Sequence, residues 1–319
     1  MLVAASIAPG VALAAVACAA ACAWLGALVW PPSRAVRVRN AFLLRRGATA
    51  DFDWTPQRVP PGFALERGPV PAPIREAVAA AGIGRVEGDW ARALALETLL
   101  VKHARHGGAI QADLATTWRG IVAGRGYCAD YVRAYLAAAF AAGLFCRQWA
   151  FSFDGFGGHG HTVVEVWDAQ RGAWAFLDVH NNVYAVRAGD DVPLDALALR
   201  DAVARSVAEV EFRRAGDGRL GWPHFDKLAD YYRRGSREWY LWWGNDVASR
   251  DRGGRWSHRL RSALGRLPAI VALVTPDNEV AVTRMERLRG HVRLAAAAVV
   301  GSVLLLAGQI ALHDDSAHG

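Results

Sequence analysis

At 319 residues, with 53% hydrophobic side chains and 13 tryptophans, the chain carries enough apolar material for one sizeable core and a surplus for a membrane. Thirty-seven basic against 30 acidic residues leave a net charge of +7, nearly all of it arginine, since Lys102 and Lys227 are the only lysines. The arginines gather beside two apolar stretches with no nucleic-acid motif, so they read as attraction to anionic lipid and exclude nucleic acid as a partner.

In chain order, Val11 to Trp30 is uncharged and long enough to cross a bilayer as a helix, which assigns residues 1–33 to an N-terminal transmembrane segment. No Lys or Arg precedes it, so the basic start of a cleaved signal peptide is missing, and Cys18 and Cys22 read as small residues of a membrane helix. Residues 34–75 begin with Arg34, Arg37, Arg39, Arg45 and Arg46 and become rich in Pro and Gly from residue 51, the composition of an extended connector. A core domain is expected over residues 76–215. Its first helix is predicted over Asp89 to Arg105, where Trp90, Leu94, Leu96, Leu99 and Leu100 recur at helical spacing.

The chemistry is concentrated further on. Gly124-Arg125-Gly126-Tyr127 is a glycine turn leading into a run of good helix formers, so Cys128 falls at a helix N-terminus, where unpaired N–H groups and the helix dipole favour a thiolate. Cys146, ahead of the strand-like Gln148 to Phe153, reads as a small buried hydrophobe. His161 opens the alternating run His161-Thr162-Val163-Val164-Glu165-Val166-Trp167, and after a break at Asp168 to Gly172 a second strand, Trp174 to Asp178, ends in a carboxylate. Antiparallel pairing of these strands brings Asp178 back beside His161. Cys128, His161 and Asp178 then read as nucleophile, base and orienting acid of a thiol acyl-transfer site. His159, in Gly157-Gly158-His159-Gly160-His161, is expected on a mobile loop at the pocket rim; Trp118 and Tyr127, flanking the cysteine loop, complete the expected substrate-binding residues.

Beyond Asn182 the sequence predicts a strand at Val183 to Val186 and a helix from Pro193 toward Val210. Residues 216–291 read as an aromatic and basic helical extension. Its rings from Trp222 to Trp243 suit packing, a membrane interface or sugar stacking, and Arg255 to Leu267 has the two faces of a helix lying on an anionic membrane. A second span is predicted within residues 292–312, over Leu294 to Ala311, leaving a tail at 313–319.

From about Trp118 to Asn182 the chain resembles the transglutaminase-like core of papain-like thiol enzymes, through Gly126-Tyr127-Cys128-Ala129-Asp130-Tyr131, His161 with Glu165 four positions on, and Trp174 four positions before Asp178. The resemblance implies an α+β fold with the cysteine helix packed on an antiparallel sheet, and acyl chemistry through a thioester. Two positions depart from the family pattern: Val163 stands where an aromatic residue is frequent, and Val179-His180 where Pro-Thr often follows the aspartate. Both bear on pocket shape.

The expected function is therefore Cys-His-Asp amide hydrolysis or transamidation on a peptide or protein-like substrate by a bacterial-type membrane protein, with no cofactor. The alternative is a catalytically silent membrane scaffold of the same fold that holds a partner, such as another membrane protein. Cys128, Cys146, His159, His161 and His180 also offer metal ligands, but the paired spacing of zinc sites is missing and no metal is expected. Arginines after the first span and before the second (Arg284, Arg287, Arg289, Arg293) put the central domain on the cytoplasmic side of the inner membrane by the positive-inside rule. A periplasmic domain is the other orientation, because large domains translocate regardless of nearby charge.

Overall fold

A computed structural model describes residues 9–102, 107–218, 225–251 and 268–318. The chain divides into two compact units, residues 1–42 with 283–319, and residues 43–282. In the first, α1 (Pro9–Val29) is followed by α2 (Pro32–Leu43), and the chain ends on α10 (Glu279–His318), whose first residues belong to the other unit. Among the described residues, two helices are long and apolar enough to cross a membrane: α1, with mean hydropathy 2.2, and Glu279–Leu312 of α10, with 2.1. Leu13 is 73% exposed and Leu304 67%. Side chains of this kind along helices of this length are stable where lipid replaces water.

The second unit mixes helices with a six-stranded sheet ordered β1-β8-β7-β2-β3-β4. The strands are β1 (Leu44–Gly47), β2 (Cys146–Ser152), β3 (Gly160–Asp168), β4 (Ala173–Leu177), β7 (Trp239–Trp242) and β8 (Ile270–Leu273). Only the edge pair β1·β8 is parallel. β5 (Val183–Arg187) and β6 (Val210–Arg214) form a separate antiparallel ribbon. The sheet is buried on both faces, and β3 alternates between them. Val164 and Val166 join the core built by α3 (Ala72–Ala80), α4 (Asp89–Val101), α5 (Leu114–Val122) and α6 (Cys128–Ala141). Val163 faces the aromatic core of Trp149, Phe151 and Phe176 beneath α7 (Ala196–Arg205) and α8 (Leu228–Gly235). The short α9 (Val247–Asp251) packs against α6.

Several expectations differ from this architecture. Residues 34–75 do more than connect: Leu44–Gly47 pairs in the sheet, and Phe52, Trp54 and Phe63 are buried in the aromatic core, because that face needs more apolar cover than α7 and α8 supply. The helix predicted toward Val210 stops at Arg205, where Ser206 is extended, and Val210 and Phe212 turn inward as a strand against β5. Within residues 216–291 the described helices are joined by two strands that the sequence reading missed, β7 and β8, which lie inside the sheet. Trp239-Tyr240-Leu241-Trp242 is a short run of strand formers buried between neighbours on both sides, and Tyr232 and Trp239 are fully buried. Tyr232 and Trp239 therefore pack the domain, while Trp222 lies outside the described residues. The amphipathic stretch Arg255 to Leu267 lies outside the described residues.

Candidate active site

Cys128 is the first residue of α6, as the glycine turn predicts. Gly126, at φ 123°, supplies a backbone conformation closed to other residues. The Asp130 carboxylate caps the turn, accepting the N–H groups of Tyr127 (3.0 Å), Ile110 (2.9 Å) and Gln111 (3.0 Å). Those bonds tie the cysteine helix to the loop before α5 and leave the partly exposed Cys128 thiol at the helix's positive end.

His161 is the second residue of β3. The preceding Gly160 permits this approach, since a Cβ there would lie 1.9 Å from the Phe151 carbonyl oxygen on β2. Val164 pairs with Leu177, so Asp178 emerges from β4 near the start of β3, and His161 Nε2 lies 2.7 Å from Asp178 Oδ2. With Nε2 engaged by the carboxylate, Nδ1 is the ring nitrogen left for the thiol. Burial opposes ionisation of Cys128, but hydrogen bonding to His161, the charge on that ring and the Thr162 N–H hold its pKa below the ordinary thiol value. Burial likewise opposes charge on His161, and Asp178 overcomes it, raising the imidazole well above its usual pKa. Together the shifts favour a thiolate–imidazolium pair.

Asp178 is fully buried and heavily solvated by the protein. Oδ2 accepts from His161, from Asn181 Nδ2 at 2.6 Å and from the Tyr232 hydroxyl; Oδ1 accepts the N–H groups of His180 (3.1 Å) and Asn181 (3.0 Å). Burial pushes its pKa up, but the His161 charge and these hydrogen bonds bring it down to about 2. Asn181 and Tyr232 are the site residues that sequence reading misses. The first had a signal, an Asp followed by Asn three positions on in a turn; the second, 54 positions away on α8, had none.

The remaining expected residues divide. Tyr127 is 55% exposed at the helix start beside Cys128, and His159 is exposed with its ring 5.7 Å from Phe153. The loop carrying His159 is anchored, contrary to expectation: Phe156 is fully buried, and Ser152, Asp154 and Glu238 accept N–H groups from Asp154 to Gly157. Trp118, expected on the pocket, is buried in the helical core, on the inward stripe of the amphipathic α5. Glu165 shares its strand with His161 but is not at the site; it pairs with Arg147 in the aromatic core. Cys146 is buried in the helical core, which raises its thiol pKa and separates it from the ligand set a metal would need. His180, its ring 5.5 Å from Tyr131 and 6.0 Å from His161, is held down to about 4 by burial and the His161 charge, and is neutral at pH 7.

Glu97 on α4 is fully buried, and neither carboxyl oxygen has a hydrogen-bond partner among the described residues. Burial, and then the Asp178 charge, raise its pKa well above the usual carboxylate value. The folded state therefore holds a proton that the unfolded chain releases near its ordinary pKa. The stability this contributes is present at low pH and is lost as pH rises toward the raised value, at about 1.4 kcal/mol per pH unit. Glu97→Gln should remove that slope, so wild type and variant unfold alike near pH 5 and the variant is the more stable at pH 7, as measured by denaturant titration. Parallel curves would show that the Glu97 carboxyl ionises freely.

Comparison with protein-family models, with curated proteins and with solved structures yields no match.

Proposed function

We propose that the protein is a membrane-anchored thiol enzyme with a transglutaminase-like core, which transfers an acyl group from an amide of a peptide or protein-like substrate. What supports this reading is a His161 ring whose far nitrogen is fixed 2.7 Å from a fully buried Asp178, with a partly exposed Cys128, at a helix N-terminus, whose thiol feels that ring's hydrogen bonding and charge. A structural thiol has no need of a carboxylate given five donors to steady the imidazole beside it, which favours an enzyme over a silent scaffold.

In the proposed reaction the Cys128 sulfur attacks the carbonyl carbon, and the C–O π electrons move to oxygen. The Cys128 N–H, at the start of α6, is one donor for that oxyanion. Collapse breaks the C–N bond, and the His161 imidazolium gives its proton to the departing amine, leaving a thioester. Water or a second amine then attacks the thioester, losing a proton to His161 and regenerating the pair. Water makes the enzyme an amidase or protease, and an amine makes it a transferase. The bilayer is the anchoring partner, and the flanking arginines favour a cytoplasmic face for the catalytic unit. Protease access to the exposed Arg125 in intact spheroplasts tests that orientation: cleavage would put the unit outside.

Iodoacetamide labelling across pH tests the chemistry. An ordinary thiol is only about 0.3% ionised at pH 6. The Cys128 rate should reach its half-maximum at a lower pH than that of an ordinary thiol, and Cys128→Ala should abolish that phase. A single rise near the ordinary thiol pKa would sink the enzyme reading.

A further inference from the structure

Resting on this thiol-enzyme reading, we infer that the site selects acyl donors bearing a carboxylate near the reacting carbonyl, and that Arg234 is the residue that takes it. A continuous path of side chains leads outward from the imidazole. The Tyr231 ring lies 5.6 Å from that of His161, Phe153 lies 5.3 Å from Tyr231, and the Arg234 guanidinium carbon sits 5.4 Å from the centre of Phe153. Tyr231 and Phe153 are half-buried and Arg234 is exposed, as befits a wall rising from the catalytic pair to solvent. The Tyr231 hydroxyl, whose pKa burial raises, also feels the charges of His161, Asp178, Cys128 and Arg234.

The charges around Arg234 leave it available. Among the described residues it has no ion-pair partner, whereas the adjacent Arg233 is paired with Asp230 at 2.7 Å. The nearby acids are committed to the glycine loop: Asp154 accepts from Ser152 Oγ (2.7 Å) and the Gly157 N–H (2.9 Å), and Glu238 accepts the Gly155 N–H (2.7 Å). A guanidinium laid over an aromatic ring keeps its edge N–H groups pointing outward, the geometry that takes a planar carboxylate with two parallel hydrogen bonds. An acyl donor laid along the Tyr231 and Phe153 rings with its carbonyl at Cys128 then presents an acidic side chain or chain terminus to Arg234.

Paired alkylating reagents of nearly equal size read this directly. Iodoacetate carries the carboxylate and iodoacetamide does not, and in both the Cys128 thiolate displaces iodide. In the full-length protein in detergent at low salt, Arg234→Gln should lower the ratio of iodoacetate to iodoacetamide rates about threefold, and Arg234→Glu about tenfold, as expected for removing one and then two unit charges at intermediate screening. The iodoacetamide rate itself should not change, which shows that the variants are folded, and the effect should fade at about 1 M salt. Arg237→Gln, another exposed arginine just beyond α8, should leave the ratio unchanged. Rapid iodoacetamide labelling with a ratio indifferent to residue 234, or an equal fall in Arg237→Gln, overturns the subsite and leaves the thiol-enzyme reading standing. Slow iodoacetamide labelling of the wild type overturns both.

Discussion

Asp178→Asn should cost about 10⁴-fold in turnover, the scale on which losing the orienting acid of a nucleophile–histidine–carboxylate triad is felt. The local hydrogen bonds make an asparagine a poor substitute. Oδ1 and Oδ2 of Asp178 both accept, from two backbone N–H groups on one side and from His161, Asn181 and Tyr232 on the other. Whichever way an amide is turned, its NH₂ faces donors. The imidazolium also loses the charge that raises its pKa, and the thiolate loses the imidazolium in turn. The pH midpoint of iodoacetamide labelling should accordingly move up toward that of an ordinary thiol. Tyr232→Phe removes one hydrogen bond to a charged acceptor and should cost roughly tenfold. Because the Asp178 pKa is lowered to about 2, its contribution to stability is present above the ordinary carboxylate range and is lost as pH falls toward 2; the Asn variant should lack that acid limb. An unchanged labelling profile in Asp178→Asn would mean that the carboxylate does not govern the pair.

The placement of Cys128, His161 and Asp178 at a helix start, a strand start and a strand end was legible because each is announced locally. A glycine turn followed by helix formers marks Cys128, a β-branched alternation marks His161, and a hairpin of the right length returns Asp178 to it; each is a short-range signal. What the sequence did not reveal is long-range. Tyr232 reaches Asp178 from α8, and β7 and β8 enter the sheet from a region whose aromatic content reads equally as surface or core. The Pro and Gly content of residues 51–75 suggests an extended connector and says nothing of Phe52, Trp54 and Phe63, whose burial is decided by the uncovered face of the sheet. Trp118 shows the converse. Proximity in sequence to the nucleophile loop suggested a pocket, and the amphipathic period of α5 turned the ring into the core.

The spacing of Glu165 from His161 formed part of the family resemblance, yet its physical role is to hold the aromatic core together, and Arg147→Met should expose that role by destabilising the protein by about 3–5 kcal/mol. Arg147 Nε lies 2.5 Å from Glu165 Oε2, and both side chains are excluded from solvent. The guanidinium carbon is 4.0 Å from the centre of Trp174 and 5.0 Å from that of Trp54, and one N–H donates to the Phe52 carbonyl at 2.7 Å. Without Arg147 the carboxylate remains buried and uncompensated, which costs more than the pair contributes. Removing both charges, as Arg147→Met with Glu165→Leu, should recover only part of the loss. Glu165 also accepts from Trp149 Nε1 and from the Ala196 N–H at 2.6 Å, near the start of α7, and those donors would then be buried without an acceptor. Denaturant unfolding of the two variants measures the difference. A double variant as stable as wild type would show the ion pair to be replaceable by packing alone, and an unaffected Arg147→Met would show that water reaches Glu165. Since Glu165 is four residues from His161 on β3 and anchors α7 to that strand, partial unfolding of this core should also slow Cys128 labelling at pH 6, tying the catalytic geometry to a charge pair on the same strand.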